Sequence, residues 1–282
     1  MKNTAYKIKA FLQLLRPGNV LVTGISVLVG AFGCRLTWCA EHMVFAAMSA
    51  MLIAGAGNAL NDCYDLEIDK ANRPKRPLPG GLLSPAFAYI ISMMFLILGA
   101  GIGFMVSPGL GLLAAVVAAL LWLYAARGKR MSIWGNLLVA AICGLAFIYG
   151  GMAVGNPWRA AFPAAFALLM HFGREIVKDV QDEKGDRKGG ARTTAIALGR
   201  KKSLVIAAGS LGLLFFITPL PYIFTIYNWR YLVAALLGVN GFIIWAVREL
   251  LTDPCDRRIA RLSRLIKLDM AVGMGAIILG SL

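Results

Sequence analysis

Long apolar runs, separated by short polar segments, dominate the pattern of hydrophobic and polar positions along the chain. About nine of these runs are long enough for an α-helix to cross the hydrocarbon core of a bilayer. They cover residues 17–36, 43–61, 85–106, 109–127, 134–154, 160–178, 203–226, 230–250 and 265–282. Before them, residues 4–16 place apolar side chains at helical spacing beside lysines, which predicts a short interfacial helix. The pattern predicts an all-α, polytopic membrane protein in which residues 1–282 form a single transmembrane domain.

The amino-acid composition also indicates a membrane protein. Hydrophobic residues make up 59% of the chain, the mean hydropathy is +0.71 and only 15% of the residues are charged, whereas a soluble domain carries about 25%. The formal net charge of +15 would suggest nucleic-acid binding in a soluble protein. Here the basic residues lie between apolar runs, which is typical of positive-inside topology and of contact with anionic lipid. We therefore expect the lipid bilayer as a partner, and neither nucleic acid nor an obligate protein partner.

The distribution of basic residues predicts the orientation of the spans. If successive runs cross the membrane, all of the 29 Lys and Arg residues except Arg35, Arg159 and Arg230 lie on the side of the N-terminus. Loops rich in Lys and Arg stay in the cytoplasm. We therefore expect a protein of the cell membrane whose N-terminus and polar loops are cytoplasmic. An odd number of spans would place the C-terminus on the opposite side.

Cysteine and histidine residues indicate no transition-metal site. The five cysteines are scattered without a C-x-x-C pair, which argues against a disulfide framework and against a zinc site. His42 and His171 are the only histidines in the sequence. The carboxylates are therefore the remaining candidate metal ligands.

A dense group of acidic and basic residues follows the second apolar run, at the predicted membrane boundary. Residues 61–76 contain the acids Asp62, Asp65, Glu67 and Asp69 and the cations Lys70, Arg73, Lys75 and Arg76. Carboxylates at the end of an apolar helix are costly unless a cation binds them. The segment lacks the turn glycine and closing glutamate of an EF-hand, which disfavours calcium. We interpret it as a site for divalent metal on a diphosphate.

A second acidic cluster, at the end of the sixth apolar run, repeats the spacing of the first. The matching triplets are Asp62, Asp65 and Asp69, and Asp179, Asp182 and Asp186, with corresponding members 117 residues apart. Carboxylates one turn apart share a helix face and repel one another unless they share cations. Mg²⁺ prefers oxygen ligands and usually binds together with substrate phosphates. The repeated spacing on one membrane face favours a Mg²⁺ site over the alternative, that both clusters are solvated loop charges.

Basic side chains close to the clusters are candidate ligands of a diphosphate. Arg73 and Arg76 follow the first cluster directly and would clamp the diphosphate oxygens that metal leaves free. Lys178 lies on the helix that carries the second cluster. Lys129 and Arg130 end another inner helix, and positive-inside charge is an equally good explanation for that pair.

These residues, in this order, resemble the UbiA superfamily of intramembrane prenyltransferases over nearly the whole chain. The matching positions are Arg16 and Pro17; Asn61, Asp65 and Asp69; Arg73, Arg76 and Pro77, with Gly80 or Gly81; Tyr124, Lys129, Arg130, Gly135 and Asn136; and Asp182 and Asp186, with Asp179 ahead of them. The resemblance implies an all-α bundle of nine spans, Mg²⁺ dependence and a cavity open to the bilayer. Within the superfamily, residues 174–186 look most like the branch that makes archaeal-type ether lipids.

The resemblance also implies a reaction. A prenyl group, expected to be geranylgeranyl, would pass from prenyl diphosphate to a lipophilic acceptor, expected to be geranylgeranylglyceryl phosphate. Aromatic-acceptor branches share both acidic motifs, so an aromatic prenyltransferase of quinone biosynthesis remains the alternative. A secondary transporter is a more remote alternative, because nearly all charge lies at the inner helix ends and not near the bilayer midplane.

Each candidate residue has an expected role in this reaction. The metal ligands would be Asn61, Asp65 and Asp69 for one Mg²⁺ and Asp182 and Asp186 for another, with Asp179 in support. The charge of the diphosphate would be stabilised by Arg73, Arg76 and Lys178 as the C–O bond breaks, and the allylic cation by Tyr124. The acceptor would be oriented by Arg16, Asn19, Lys129 and Arg130. Asp62 is a candidate general base, with a purely structural role as its alternative.

Overall fold

Helices form the regular secondary structure of the protein in a computed structural model that describes residues 2–33, 39–127, 131–252 and 254–282. In chain order the α-helices are α1 (Lys2–Leu15), α2 (Pro17–Gly33), α3 (Ala40–Tyr64), α4 (Leu66–Asn72), α5 (Pro85–Val106), α6 (Pro108–Arg127), α7 (Ile133–Ala153), α8 (Ala161–Lys188), α9 (Thr194–Leu198), α10 (Arg200–Ile217), α11 (Leu220–Ile223), α12 (Trp229–Ala234), α13 (Gly241–Leu251) and α14 (Asp256–Ser281). A 3₁₀ turn (Pro157–Ala160) precedes α8, and a π-helical segment (Ala235–Asn240) joins α12 to α13.

Within the described residues, each predicted span coincides with a long helical segment; residues 34–36, the end of the first predicted span, lie outside them. Within the described ranges, 7 segments are long and apolar enough to cross a membrane: α3, α5, α6, α7, α8 with its 3₁₀ turn, α10 with α11, and α12 with α13. Helices α1 and α2, bent by 47°, qualify together as a further span. Helix α14 occupies the last predicted run but carries Lys267 and Asp269 within it. The prediction of an all-α, polytopic membrane protein is confirmed, and the figure of about nine spans is approximate.

The break between α1 and α2 fixes the position of Arg16. This residue has a left-handed backbone, with φ at +54°, and Pro17 has no N–H group. The N–H of Asn19 bonds the carbonyl of Arg16 at 2.8 Å, so the carbonyl of Leu15 needs another donor. Asn58 of α3 supplies it, at 3.0 Å. The bend is thereby attached to α3, and Arg16 is held beside the inner end of that helix.

Helices α2 and α7 cross with their backbones in contact at two glycines. A methyl group added to Gly30 would lie 2.2 Å from the carbonyl oxygen of Phe147, and one added to Gly150 would lie 1.9 Å from that of Val27. Small residues permit such close packing between membrane helices. Helix α7 also packs against α8, which in turn packs against α10 and α14. The crossing therefore sets the spacing of helices that line the site described below.

The acidic residues at the end of α3 and on α8 mark one side of the helical bundle, which is called the inner side below. Exposed ion pairs link the ends of α8, α10 and α14 on this side. Asp256, in the first turn of α14, accepts hydrogen bonds from Lys184 (2.9 Å) and from Arg200 (3.0 Å). The hydrogen bond from Lys184, followed by that from Arg200, lowers the pKa of Asp256 from its usual value. Because the side chains of Lys184 and Asp256 are largely solvated, these pairs contribute little to stability.

Candidate functional site

A cavity of about 310 Å³ lies among helices α2, α3, α6, α7, α8 and α14. Its inner end is lined by polar and charged side chains, namely Arg16, Asn19, Asn58, Asn61, Tyr124, Arg174, Glu175, Lys178 and Lys267. Its deeper walls are apolar and include Ala50, Ile53, Leu113, Val117, Ile142 and Ala146. Ligand sites combine mostly apolar walls with a few placed polar groups. This division matches a ligand with an anionic head and a hydrocarbon tail.

The first acidic cluster is held by arginines. Asp62 and Asp69 are 2% and 3% exposed, which is costly for carboxylates unless they are paired. Arg76 donates to Asp62 at 3.0 Å and to Asp69 at 2.5 Å, and Arg16 also donates to Asp62. Helical hydrogen bonds continue through Asp65 between α3 and α4. The spacing seen in the sequence is therefore preserved, and the two buried carboxylates share one guanidinium.

The two acidic clusters meet next to the polar end of the cavity, which Asn61, Tyr124 and Lys178 line. Arg73, in the segment that follows α4, donates to Asp182 of α8 at 2.6 Å. Tyr124 of α6 lies within electrostatic range of Asp65 from the first cluster and of Asp179 and Asp186 from the second. Segments 117 residues apart are thus brought together around one arginine and one tyrosine.

Asp179 is anchored by uncharged donors. Its Oδ2 atom accepts a hydrogen bond from the side chain of Asn136 at 2.8 Å and another from the backbone N–H of Thr194 at 3.1 Å. Asn136 also donates to the hydroxyl of Thr194 at 3.0 Å. Asp179 therefore links α8 to α7 and α9, and its position is fixed by three elements.

The clusters have the donor chemistry of a Mg²⁺ site, although they do not form a cage of carboxylates. In the part of the chain that the structure describes, no group of three or more His, Cys, Asp or Glu side chains converges closely enough to hold a metal ion. Mg²⁺ is usually bound by one or two carboxylates together with waters and substrate phosphates. Two facing clusters of oxygen donors therefore fit a metal that binds jointly with a phosphorylated substrate.

Three charged residues of the cavity were not assigned a role from the sequence. Glu175 is 8% exposed and accepts hydrogen bonds from Arg174 at 2.8 Å and from Lys178 at 2.9 Å. Lys267 of α14 donates to Asn19 of α2 at 2.7 Å. Glu175 could have been found from the sequence, because it lies one helical turn before Asp179. Lys267 could not, because in the sequence it does not differ from the basic residues that the positive-inside rule explains. Lys129 and Arg130 lie outside the described residues.

A smaller cavity of about 70 Å³ adjoins the first and shares Val22, Ser26, His171 and Met270 with it. Asp269 of α14 lines this smaller cavity. It is 5% exposed, and among the described residues its Oδ2 atom has no hydrogen-bond partner. Asp269 was not predicted as a functional residue from the sequence, because a single acid in an apolar run has no spacing pattern.

The fold and the site together define a class of protein, a polytopic all-α membrane protein whose cavity suits an anionic amphiphile. Residues 20–268 match the model of the UbiA prenyltransferase family. The chain therefore belongs to the UbiA prenyltransferase family and is an enzyme that transfers prenyl groups. This confirms the family resemblance predicted from the acidic motifs.

Relatives and solved structures match almost the whole chain. The chain is similar to digeranylgeranylglyceryl phosphate synthase of Methanococcus aeolicus, with 36% identity over 98% of this chain and 99% of that one. It is similar to a solved structure described as digeranylgeranylglyceryl phosphate synthase, with a TM-score of 0.80 and 31% identity over 98% of both chains. A UbiA homolog from Archaeoglobus fulgidus bound to GPP and Mg²⁺ shares the fold, with a TM-score of 0.69 and 19% identity over 95% of this chain and 99% of that one.

Proposed function

We propose that this enzyme transfers a geranylgeranyl group from its diphosphate to geranylgeranylglyceryl phosphate, forming an ether bond in membrane-lipid biosynthesis. The observation that carries the proposal is the polarity of the 310 Å³ cavity, which is charged at its inner end and apolar along its depth. Both substrates are amphiphiles with a phosphorylated head and an isoprenoid tail. The printed names of the relatives, at about 35% identity over most of the chain, support the same acceptor.

The two acidic clusters would bind the head of the donor. Asn61, Asp65 and Asp69 would hold one Mg²⁺ and Asp182 and Asp186 another, with Asp179 in support. Arg73, Arg76 and Lys178 would contact the diphosphate oxygens, and the first two already touch carboxylates of the clusters. When bound, Mg²⁺ would neutralise charge that develops on the departing diphosphate.

Bond cleavage would take place beside Tyr124. The C–O bond of the donor breaks with its electron pair on the diphosphate, and the allylic cation that remains is stabilised by the aromatic face of Tyr124. The hydroxyl oxygen of the acceptor then bonds to the allylic carbon, and its proton passes to the diphosphate that has been released. Asp62 accepts hydrogen bonds from both Arg16 and Arg76 on the same carboxylate oxygen, Oδ1. We therefore assign Asp62 to orienting these two arginines and not to removing the proton.

The orientation of the protein is a further part of the proposal. The inner helix ends, which carry the acidic clusters and most of the basic residues, would face the cytoplasm. Donor and acceptor would then reach the cavity with their heads on the cytoplasmic side and their tails in the bilayer.

The decisive experiment compares acceptors. Purified protein in detergent receives labelled geranylgeranyl diphosphate with geranylgeranylglyceryl phosphate, with 4-hydroxybenzoate or with dihydroxynaphthoate. We expect an ether product only with the glyceryl phosphate, formed with Mg²⁺ and abolished by a chelator. Transfer to one of the aromatic acceptors in place of the glyceryl phosphate would overturn the proposal in favour of quinone biosynthesis.

A further inference from the structure

Lys267 is a cation inside the cavity whose contact is a neutral side chain. It lies on α14, lines the cavity and donates to the amide oxygen of Asn19 at 2.7 Å. In the described part of the chain, no carboxylate forms an ion pair with Lys267. Ionisable residues within membrane helices are expensive and usually mark a binding site or a pathway. A lysine that lines a cavity and has no carboxylate partner among the described residues is expected to bind an anionic ligand.

Two other cations lie close to Lys267. Arg16 and Arg174 both line the cavity and are near enough to repel it electrostatically. Arg16 pairs with Asp62, which also binds Arg76. Arg174 pairs with Glu175, which also binds Lys178.

Counting the charges of this region gives a positive excess. The cations that line the cavity here are Arg16, Arg174, Lys178 and Lys267, and the carboxylates that they contact are Asp62 and Glu175. Four positive charges therefore face two negative ones. A phosphomonoester carries about −1.5 to −2 charges at neutral pH, which matches the excess.

We propose that Lys267, together with Asn19 and Arg174, forms the subsite for the phosphomonoester of the acceptor. This inference rests on the proposed function, in which the acceptor is a glyceryl phosphate. The subsite lies where α14 packs against α2 and α8, whereas the donor diphosphate binds between the end of α3 and α8. The two anionic heads thus occupy separate regions at the polar end of one cavity.

The test measures how far the enzyme prefers a phosphorylated acceptor over the same acceptor without phosphate, geranylgeranylglycerol. We expect Lys267→Gln to raise the KM for geranylgeranylglyceryl phosphate by about 10- to 100-fold, which corresponds to the loss of one charge-assisted hydrogen bond. The KM for geranylgeranyl diphosphate and the activity with geranylgeranylglycerol should stay unchanged. Lys267→Arg should restore most of the preference, since it restores the charge.

Arg264→Gln is the matched control. Arg264 lies on the same helix, is exposed and bonds only the carbonyl of Ala260 among its described contacts, so its replacement removes the same charge outside the cavity. We expect normal KM values for both substrates. Melting temperatures in detergent show whether each variant is folded, and Lys267→Met, which keeps the apolar stem, replaces Lys267→Gln if the latter unfolds.

The possible failures are distinguishable. A wild-type enzyme that does not use geranylgeranylglyceryl phosphate would overturn the proposed function itself. A wild-type enzyme that uses it, with Lys267→Gln leaving the preference for phosphate intact or weakening both acceptors equally, would overturn the subsite and leave the proposed function standing.

Discussion

At the scale of single residues, burial and pairing separate the acids of the site from ordinary surface charges. Asp62 and Asp69 are almost fully buried and bonded by arginines. Glu67, in the same segment, is exposed and, among the described residues, pairs with Lys70 alone, at 2.7 Å. Acids that lie close together in one segment of the sequence therefore have different environments in the structure, and substitutions should distinguish them.

Replacing one proposed metal ligand in each cluster should abolish transfer. We expect Asp65→Asn and Asp182→Asn each to lower kcat/KM by more than about 100-fold, because even outer partners of a metal ligand contribute 10- to 100-fold. Binding of Mn²⁺ in the presence of donor diphosphate, measured by electron paramagnetic resonance, should weaken in parallel. Glu67→Gln is the control in the same segment and should retain normal activity. Activity that survives both ligand substitutions together would refute the metal assignment.

Asp269 offers a stability prediction. Its buried carboxyl leaves one oxygen without a hydrogen bond among the described residues and lines a cavity of about 70 Å³. Burying a polar group without a partner is unfavourable, and the cavity has room for a larger side chain. We expect Asp269→Leu to raise the melting temperature in detergent. Asp256→Asn, at an exposed pair, should change it little, and a marked fall for Asp269→Leu would show that the acid has a stabilising partner.

At the scale of helices, the α2–α7 crossing controls the width of the cavity. Helix α2 carries Asn19 and α7 carries Asn136, and these two helices touch through Gly30 and Gly150. No side chain separates the backbones there. A change at the crossing should therefore disturb both stability and activity, although it lies far from the acidic clusters.

Gly150→Ala tests this crossing. The new methyl group would lie 1.9 Å from the carbonyl oxygen of Val27, so α2 and α7 must move apart. Overpacking of this kind costs about 1–3 kcal/mol, and we expect a melting temperature lower by several degrees together with reduced transfer. Gly101→Ala is the matched control, since a methyl group there meets nothing within 4 Å. Equal melting temperatures for the two variants would mean that the helices are not in contact at Gly150.

At the scale of the whole molecule, the proposed orientation places the site on the cytoplasmic face of the membrane. Cys255 is exposed and precedes α14, next to the inner ends of α8 and α10. Trp158, in the turn before α8, is 85% exposed and lies at the other end of that helix. These two positions report on opposite faces.

Cysteine labelling tests the orientation. In a variant whose other cysteines are replaced, we expect Cys255 to react with a membrane-impermeant maleimide only in inverted vesicles. A Trp158→Cys variant without Cys255 should react only in intact cells. The reverse pattern would place the active site outside the cytoplasm, and labelling of both positions from one side would contradict the predicted spans.

The helical class, the approximate positions of the spans and the two acidic clusters could be predicted from the amino-acid sequence, because these are local patterns. An apolar run is long enough to cross a bilayer wherever it packs, and carboxylates spaced by one helical turn share a face in any helix. The motifs of residues 61–76 and 179–186 were therefore visible, and so was the family to which they belong.

The tertiary structure alone decided which charges are partners. Lys267 bonds Asn19 across 248 residues of sequence, and Arg73 bonds Asp182 across 109. Such contacts depend on which helices pack together, and no periodicity in the chain records them. For the same reason, Lys267 was interpreted from the sequence as one of the positive-inside charges, and Asp269 was not predicted to have a role. Only the packing of α14 against α2 and α8 brings Lys267 to the cavity.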